Sequence, residues 1–470
     1  MLFNSWSFVA FLLFVLVVMM FTRTWGIRFR NTFLLACSYM FYGMFSFGFL
    51  LILGYITVLN YMMGKRMIRS QRPQMICSVT VILSIVPLIV FKYTSFIISL
   101  IDDVVKVGIP NFAESWVLPV GISFFTFQAL SYTIDICRKK ISVENNILDF
   151  ALFVAFFPTI LSGPIEKARN LLPQIKEGRG ITASDVVIGA RIFVWGVFKK
   201  MVIADRLAQY VDYVYAGAEY ASSLTLILAA VLYSIQIYCD FSGYSDMALG
   251  VGRSLGFHLT QNFSFPYFSS SIKSFWKKWH ISLTSWFTEY VYISLGGNRV
   301  STIRWVINIS LVFLLSGIWH GAAVGFIIWG AVHALLYLLE HMSGWGTCSK
   351  NASCIASIIG GICTFLFITA AWVFFRLPSF GDAISVFSSM LNKWDGTLNT
   401  GPSAFSFAIN CACLVFFITS EVLLKFGYMG LYNNEGTLLR RVTTSIWLLG
   451  VVILIELFCV TSNQFVYFQF

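Results

Sequence analysis

Phe8-Val9-Ala10-Phe11-Leu12-Leu13-Phe14-Val15-Leu16-Val17-Val18-Met19-Met20-Phe21 is an apolar run with no charged side chain, and Arg23, Arg28 and Arg30 follow it directly. With the residues from Met1 onward it is long enough to cross a bilayer, which takes roughly 20 apolar residues in a helix. A cleaved leader would carry a basic stretch before the apolar part and a small-residue cleavage site after it. Neither is present here, so the segment reads as a retained first transmembrane helix. Basic loops stay in the cytoplasm. The arginines are therefore expected inside and the N-terminus outside.

Working outward from this segment, the same alternation continues. The stretch 33–63 is too long for one span, and Gly43-Met44-Phe45-Ser46-Phe47-Gly48 at its middle can turn, so a hairpin of two short helices is expected. Lys65, Arg66, Arg69 and Arg72 then mark a cytoplasmic loop. A span over 76–101 leads to the acidic Asp102, Asp103 and Glu114 outside, and one over 117–136 returns to Arg138, Lys139 and Lys140 inside. The next segment, 147–161, is short, ends in Ser162-Gly163-Pro164 and has basic flanks, with Lys167, Arg169, Lys176 and Arg179 after it. It reads as re-entrant, a shape that survives at membrane depth only when enclosed by protein or lining a wet cavity. Further apolar segments fall near 184–204, 223–241, 303–318, 322–339, 355–375, 403–425 and 442–461. The expectation is an all-α polytopic membrane protein of about eleven transmembrane, short and re-entrant helices, forming a single domain over 1–470.

Composition agrees with that reading. Of 470 residues, 58% are hydrophobic, 17% aromatic and only 11% charged, with a mean hydropathy of +0.79. Soluble domains are nearer 45–50% apolar and about 25% charged, so a water-soluble enzyme is excluded. The net charge of +11 sits in short clusters between apolar runs, the pattern of positive-inside loops and not of a nucleic-acid face. Seven of the ten cysteines lie in apolar runs, where they act as small hydrophobes. Cys137 abuts a basic cluster and is expected to have no nearby partner. Cys348 and Cys354 share a polar loop and would pair only in an oxidising compartment. No metal-binding Cys/His spacing occurs.

Polar groups within a bilayer are expensive, which makes them functional candidates. Five histidines occur, at 258, 280, 320, 333 and 341. His320 stands in Leu315-Ser316-Gly317-Ile318-Trp319-His320-Gly321, His333 in Trp329-Gly330-Ala331-Val332-His333, and His280 in Phe275-Trp276-Lys277-Lys278-Trp279-His280. A neutral imidazole is a good general base, and the alternative is a core histidine satisfied by one hydrogen bond. The segment 272–294 places Phe275, Trp279, Trp286, Tyr290 and Ile293 at helical spacing, with Lys273 and Lys277 elsewhere on the wheel and Ser269-Ser270-Ser271 as N-cap candidates. It reads as one amphipathic helix at the cytoplasmic interface. Asp240 and Asp246 close an apolar run, and either orient a histidine or ligand or pair with Arg253 as structure. Gly250, Gly252 and Gly256 have the wrong spacing and context for a nucleotide-binding loop.

Several of these stretches together resemble the membrane-bound O-acyltransferase family. They are Asn262-Phe263-Ser264-Phe265-Pro266-Tyr267, Phe275 through Leu283, Tyr292-Ile293-Ser294-Leu295-Gly296-Gly297-Asn298-Arg299, and Trp319-His320-Gly321. Asp240 through Met247 and Ser162-Gly163-Pro164-Ile165 add to the likeness, which covers essentially the whole chain. It is strongest to the bacterial branch, which contains membrane proteins of alginate and peptidoglycan O-acetylation and of teichoic-acid D-alanylation. Thr288-Glu289-Tyr290 departs from the Arg-Asp-Tyr of the alginate branch and leaves the polysaccharide open.

The resemblance implies helices ringed around a thin central funnel, with His320 as the catalytic histidine and His280 as the second. It implies that Trp276, Trp279, Asn298, Asp240 and Trp319 line the substrate site. The implied reaction moves a short acyl group, acetyl above all, from a cytoplasmic thioester to an extracytoplasmic polysaccharide hydroxyl. The donor would be acetyl-CoA or an acyl-carrier protein, drawn to the basic residues Lys273, Lys277 and Lys278, with no bound cofactor or metal. A periplasmic acyltransferase or acetylated polymer would be the partner, and the inner membrane with its lipids the location. A lipid-modifying acyltransferase on the same fold is the main alternative. A transporter fits less well, because no paired, interrupted halves are seen. The C-terminal Phe465-Val466-Tyr467-Phe468-Gln469-Phe470 has four aromatics and no charge. It is either an interfacial belt or, by resemblance to the terminal Phe-x-Tyr-x-x-Phe motif of the D-alanylation system, an acyl relay through Tyr467.

Overall fold

A computed structural model describes residues 1–21, 25–344, 354–377, 379–432, 437–460 and 465, with Cys354 described by its backbone alone. Every α or π element among the described residues is helical, and the chain forms two compact units. Among the described residues, eight helices are long and apolar enough to cross a membrane. The other helices are shorter, among them the sixteen-residue first helix and a nine-residue one, and they do not single out a count of eleven. The chain is an all-helical, multi-pass membrane protein.

One unit comprises Met1–Phe193 and Met247–Thr260. It holds α1 (Trp6–Phe21), α2 (Ile27–Gly43), α3 (Phe47–Arg69), α4 (Pro73–Val105), α5 (Ile122–Cys137), α6 (Ile147–Ala155), α7 (Ala168–Glu177) and most of α8 (Ala183–Val197). The α2–α3 break falls at residues 44–46, inside the expected turn. Pro87 lies within the 33-residue α4. Proline has no N–H for the carbonyl four residues back, and here the Tyr55 hydroxyl donates to that Leu83 carbonyl at 3.2 Å. α5 begins five residues later than expected, because Gly121 turns at φ +77 where a Cβ would lie 2.1 Å from the Ile160 carbonyl. Past the short α6, capped by Asn146 accepting from the Leu148 N–H, the backbone leaves helix. Residues 150–166 are nonetheless buried throughout, the condition under which irregular backbone could lie at membrane depth. Glu166 anchors the end of this stretch by accepting from the Thr260 N–H and, at 2.6 Å, from Asn170 Nδ2. Cys137 has a neighbour after all, since Cys77 lies within hydrogen-bond reach of it.

The other unit comprises Val194–Asp246 and Gln261–Phe470. A π-helical turn, Phe198–Ala204, runs into α9 (Asp205–Ala216), and most of α10 (Ser223–Ser254) follows. Then come α11 (Ile272–Trp276), α12 (Ile281–Trp286) with a π turn Phe287–Tyr292, and the hairpin α13 (Thr302–His320) and α14 (Val324–Ser343). The last elements are α15 (Cys354–Arg376), α16 (Phe380–Asn392), α17 (Ala404–Lys425) and α18 (Leu438–Phe458).

Two expectations are corrected here. The run 223–241 continues as helix to Ser254, so Asp240 and Asp246 lie inside α10 and not at its end. The stretch 272–294 is not one amphipathic helix. It breaks at His280, which adopts φ 44 and ψ 54, because the backbone there pairs with another segment. The Ser264 N–H donates to the Lys278 carbonyl and the Ile281 N–H to the Asn262 carbonyl, at 3.0 and 2.9 Å. Ser271 does cap, its hydroxyl accepting from the Ser274 N–H. Phe275, Trp279, Trp286 and Tyr290 are buried in protein, and only Ile293 of that face is exposed.

Candidate functional site

The hairpin α13–α14 sets the position of His320. A Cβ on Gly317 would lie 2.3 Å from the Phe326 carbonyl, and one on Gly330 would lie 2.5 Å from the Phe313 carbonyl. Glycine at both positions lets the helices close, as small residues do in membranes. This brings His320, the last residue of α13, to a ring distance of 5.1 Å from Trp329. Trp319 at 4.9 Å and Phe375 at 5.3 Å complete an aromatic wall around the imidazole.

His280 reaches the same place from the break between α11 and α12. Its ring centroid is 6.5 Å from that of His320, 5.9 Å from Trp319 and 4.6 Å from Phe241. Its Nδ1 lies 3.2 Å from Asn262 Oδ1, which also accepts from the Ser282 N–H and hydroxyl. An amide oxygen can only accept, so Nδ1 carries the proton in this contact. Burial pushes the His280 imidazole down to about 3, which keeps the ring neutral at physiological pH. Both histidines are buried. Two neutral-capable rings, 40 positions apart in sequence, thus share one dry, aromatic enclosure suited to moving a proton on and off a reacting oxygen.

The other expected site residues divide. Trp319 joins the two histidines. Trp279 lies one layer out, stacked on Phe275 at 5.4 Å and 5.0 Å from Trp372. Trp276 packs edge-on against His333, 4.9 Å away. His333 is fully buried among Trp276, Trp329 and Phe313, and among the described residues neither ring nitrogen has a hydrogen-bond partner. Asn298 is exposed in the turn after the second π segment. The side chain that organises this turn is Asn308, which donates to the Leu295 and Gly297 carbonyls. Tyr467, Cys348 and the Cys354 side chain lie outside the described residues.

Asp240 and Asp246 do not pair with Arg253, which binds Asp185 at 2.9 Å. Consecutive lysines of the first π turn take them instead. Lys200 Nζ is 2.5 Å from Asp240 and 2.7 Å from Asp205, and Lys199 Nζ is 3.0 Å from Asp246 and 3.5 Å from Glu421. Gly243 allows the approach, since a Cβ there would lie 2.8 Å from the Gly196 carbonyl. Tyr238 donates to Glu421 at 2.8 Å. The Lys199 group borders a cavity of about 220 Å³ that also reaches Phe263, Tyr432 and Arg440. Over Lys200, 4.5 Å from Nζ, lies the ring of Phe465, itself edge-on to Tyr244 at 4.5 Å. Asn262, which holds His280, and the buried Lys199 and Lys200 are neighbours whose part the sequence reading did not assign. Two lysines inside an apolar run were the available signal, since buried charges need partners.

Helices broken at buried polar residues, with a histidine pair held in an aromatic enclosure, define a multi-pass membrane protein equipped for proton-transfer chemistry. Residues 34–380 match the model of the membrane-bound O-acyltransferase family. The chain is 36% identical over 415 residues to the probable alginate O-acetylase AlgI of Pseudomonas aeruginosa, covering 87% of this chain and 78% of that protein. It is 34% identical over 396 residues to the peptidoglycan O-acetyltransferase of Helicobacter pylori, covering 77% and 74%. A teichoic acid D-alanyltransferase of Bacillus subtilis is 29% identical over 228 residues, covering 46% of this chain and 57% of its own length. The chain belongs to the membrane-bound O-acyltransferase family and is an O-acyltransferase.

Proposed function

We propose that this enzyme transfers an acetyl group from a cytoplasmic thioester, acetyl-CoA or an acyl-carrier protein, for O-acetylation of an extracytoplasmic polysaccharide. The inner membrane is its location, with the N-terminus outside and a periplasmic acyltransferase or the polymer itself as partner. The carrying observation is the approach of His280 and His320 to 6.5 Å within a buried aromatic enclosure. Relatives named for alginate and peptidoglycan O-acetylation, each covered over more than two thirds of its length, support the substrate class.

His320 acts as general base. It takes the proton from the acceptor hydroxyl as that oxygen attacks the thioester carbonyl; the C–S bond breaks and the thiolate leaves with the proton returned. His280 orients and hydrogen-bonds as a neutral ring, because a base driven to about 3 holds a proton poorly at neutral pH. Lys278, whose ammonium is disfavoured first by burial and then by Lys425, belongs to a basic patch that favours an anionic donor. The acceptor of the first transfer is Tyr467. A phenol of pKa about 10 is easier to activate than a sugar hydroxyl, and its ester passes the acetyl onward. Phe465, seated in protein over Lys200 and Tyr244 two residues earlier, supports this role for the chain end.

The test is acetyl transfer by purified His320→Ala. Loss of a general base costs about 10²–10⁴-fold in rate. Transfer at the wild-type rate by folded, monodisperse variant would remove His320 from the mechanism.

A further inference from the structure

Far from the histidines in sequence, the first unit contains a cavity of about 310 Å³ at the junction of α1 and α2 and the glycine-bearing loop 178–181. Arg30 and Arg179 supply its polar wall, and Met19, Met20 and Ile27 its apolar wall. Arg30 is only 6% exposed. Its Nε and Nη2 donate to Asn31 Oδ1 at 3.0 and 2.8 Å, Nη2 also to the Ile175 carbonyl at 2.6 Å, and Nη1 to the Arg179 carbonyl at 3.4 Å. These acceptors are all neutral amide oxygens, and they leave one of the two Nη1 hydrogens uncommitted. Asp149 stands one side chain away, accepting from Asn31 at 2.7 Å. Among the described residues no carboxylate is within ion-pair distance of Arg30.

Arg179, exposed at the rim and also facing Asp185 electrostatically, adds a second cation. Its Nη1 meets His258 Nδ1 at 3.4 Å, a ring kept neutral by burial and then by Arg253 and Arg179. The buried Arg30 guanidinium feels Asp149 only through Asn31 and makes no direct ion pair among the described residues, so a further anion at its uncommitted hydrogen would lower the cost of burying it. The apolar wall identifies the anion's source. Met20 is 70% and Phe21 67% exposed at the end of α1, and Trp25 and Phe29, edge-to-face at 4.7 Å, are exposed beside them. Exposed Trp and Phe flanking a membrane helix lie at headgroup level. A soluble anion has no use for the methionines, whereas a phospholipid needs both walls.

We propose that this cavity is a site for one anionic phospholipid, its phosphodiester held between Arg30 and Arg179 and its acyl chains lying along Met20 and Phe21. The full chain, reconstituted in nanodiscs of phosphatidylcholine with graded phosphatidylglycerol, tests this by native mass spectrometry of lipid kept after delipidation. One phosphatidylglycerol per chain is expected to persist. Arg179→Gln should lower its retention about tenfold, the scale of one charge-assisted hydrogen bond, and Ile27→Trp should exclude it by filling the space. Arg30→Gln should do the same; if it fails to fold, the other two variants decide. Retention at the wild-type level in Arg179→Gln and Ile27→Trp overturns the proposal. So does equal retention of phosphatidylcholine, or displacement of the lipid by inorganic phosphate. None of these readouts depends on acetyl transfer.

Discussion

Lys200→Met should unfold this protein far more readily than its loss of one side chain suggests. Lys200 Nζ lies 2.5 Å from Asp240 and 2.7 Å from Asp205, and all three side chains are at most 3% exposed. Without the ammonium, two buried carboxyls lose the counter-charge they share in a low-dielectric site. Measured losses on breaking buried pairs run at about 3–5 kcal/mol. The assay is equilibrium unfolding in mixed micelles at pH 7, with Lys200→Met/Asp240→Leu as the companion variant. The single variant should lose about 3–5 kcal/mol, and the double should recover at least 1 kcal/mol of it, because one stranded carboxyl is gone. A loss below about 1 kcal/mol in the single, or strict additivity in the double, would refute the structural role assigned to Asp240. It would return that residue to the substrate site.

Acidification should weaken the fold through His280. Its folded value of about 3 lies below the usual 6.5 or so, so the stabilisation is complete above pH 6.5 and is lost as pH falls. At pH 5 the loss is about 2 kcal/mol; His280→Gln should unfold with a correspondingly flatter pH dependence, and an unchanged slope would count against the buried neutral ring. His280→Ala should slow acetyl transfer less than His320→Ala, and complete inactivation in a folded protein would reverse that ranking. Tyr467→Phe should keep the fold and stop acetyl delivery to the polysaccharide, and full acetylation by the variant would leave Tyr467 an interface aromatic. A single cysteine near Arg69 should resist an impermeant label applied to intact cells; labelling there would invert the proposed orientation.

The physics of a bilayer made much of this protein legible in one dimension. A span must be apolar for about 20 residues and its cytoplasmic flank basic, so the α2–α3 hairpin and the spans α13, α14, α15, α17 and α18 stand close to where periodicity and charge put them. The shortness of the helix in 147–161 was readable for the same reason, although it already ends at Ala155, before Ser162-Gly163-Pro164. The apolar surroundings of the His320 imidazole in Trp319-His320-Gly321 were readable too. Pairing was not. Nothing local to Asp240 distinguishes Arg253, thirteen residues along the chain, from Lys200, forty residues back, because a buried carboxylate takes whichever cation the helix crossing delivers. That crossing depends on Gly243 meeting Gly196, and on a π turn that presents two consecutive lysines to two separate acidic groups. The helical pattern of 272–294 likewise promised one continuous helix. The break at His280 arises from backbone pairing with residues 262–264, a non-local contact that outweighs local periodicity, and it carries His280 to His320. Which residues are helical, apolar or ionisable is written along the chain; which of them meet is decided only when distant backbones compete for the same hydrogen bonds and charges.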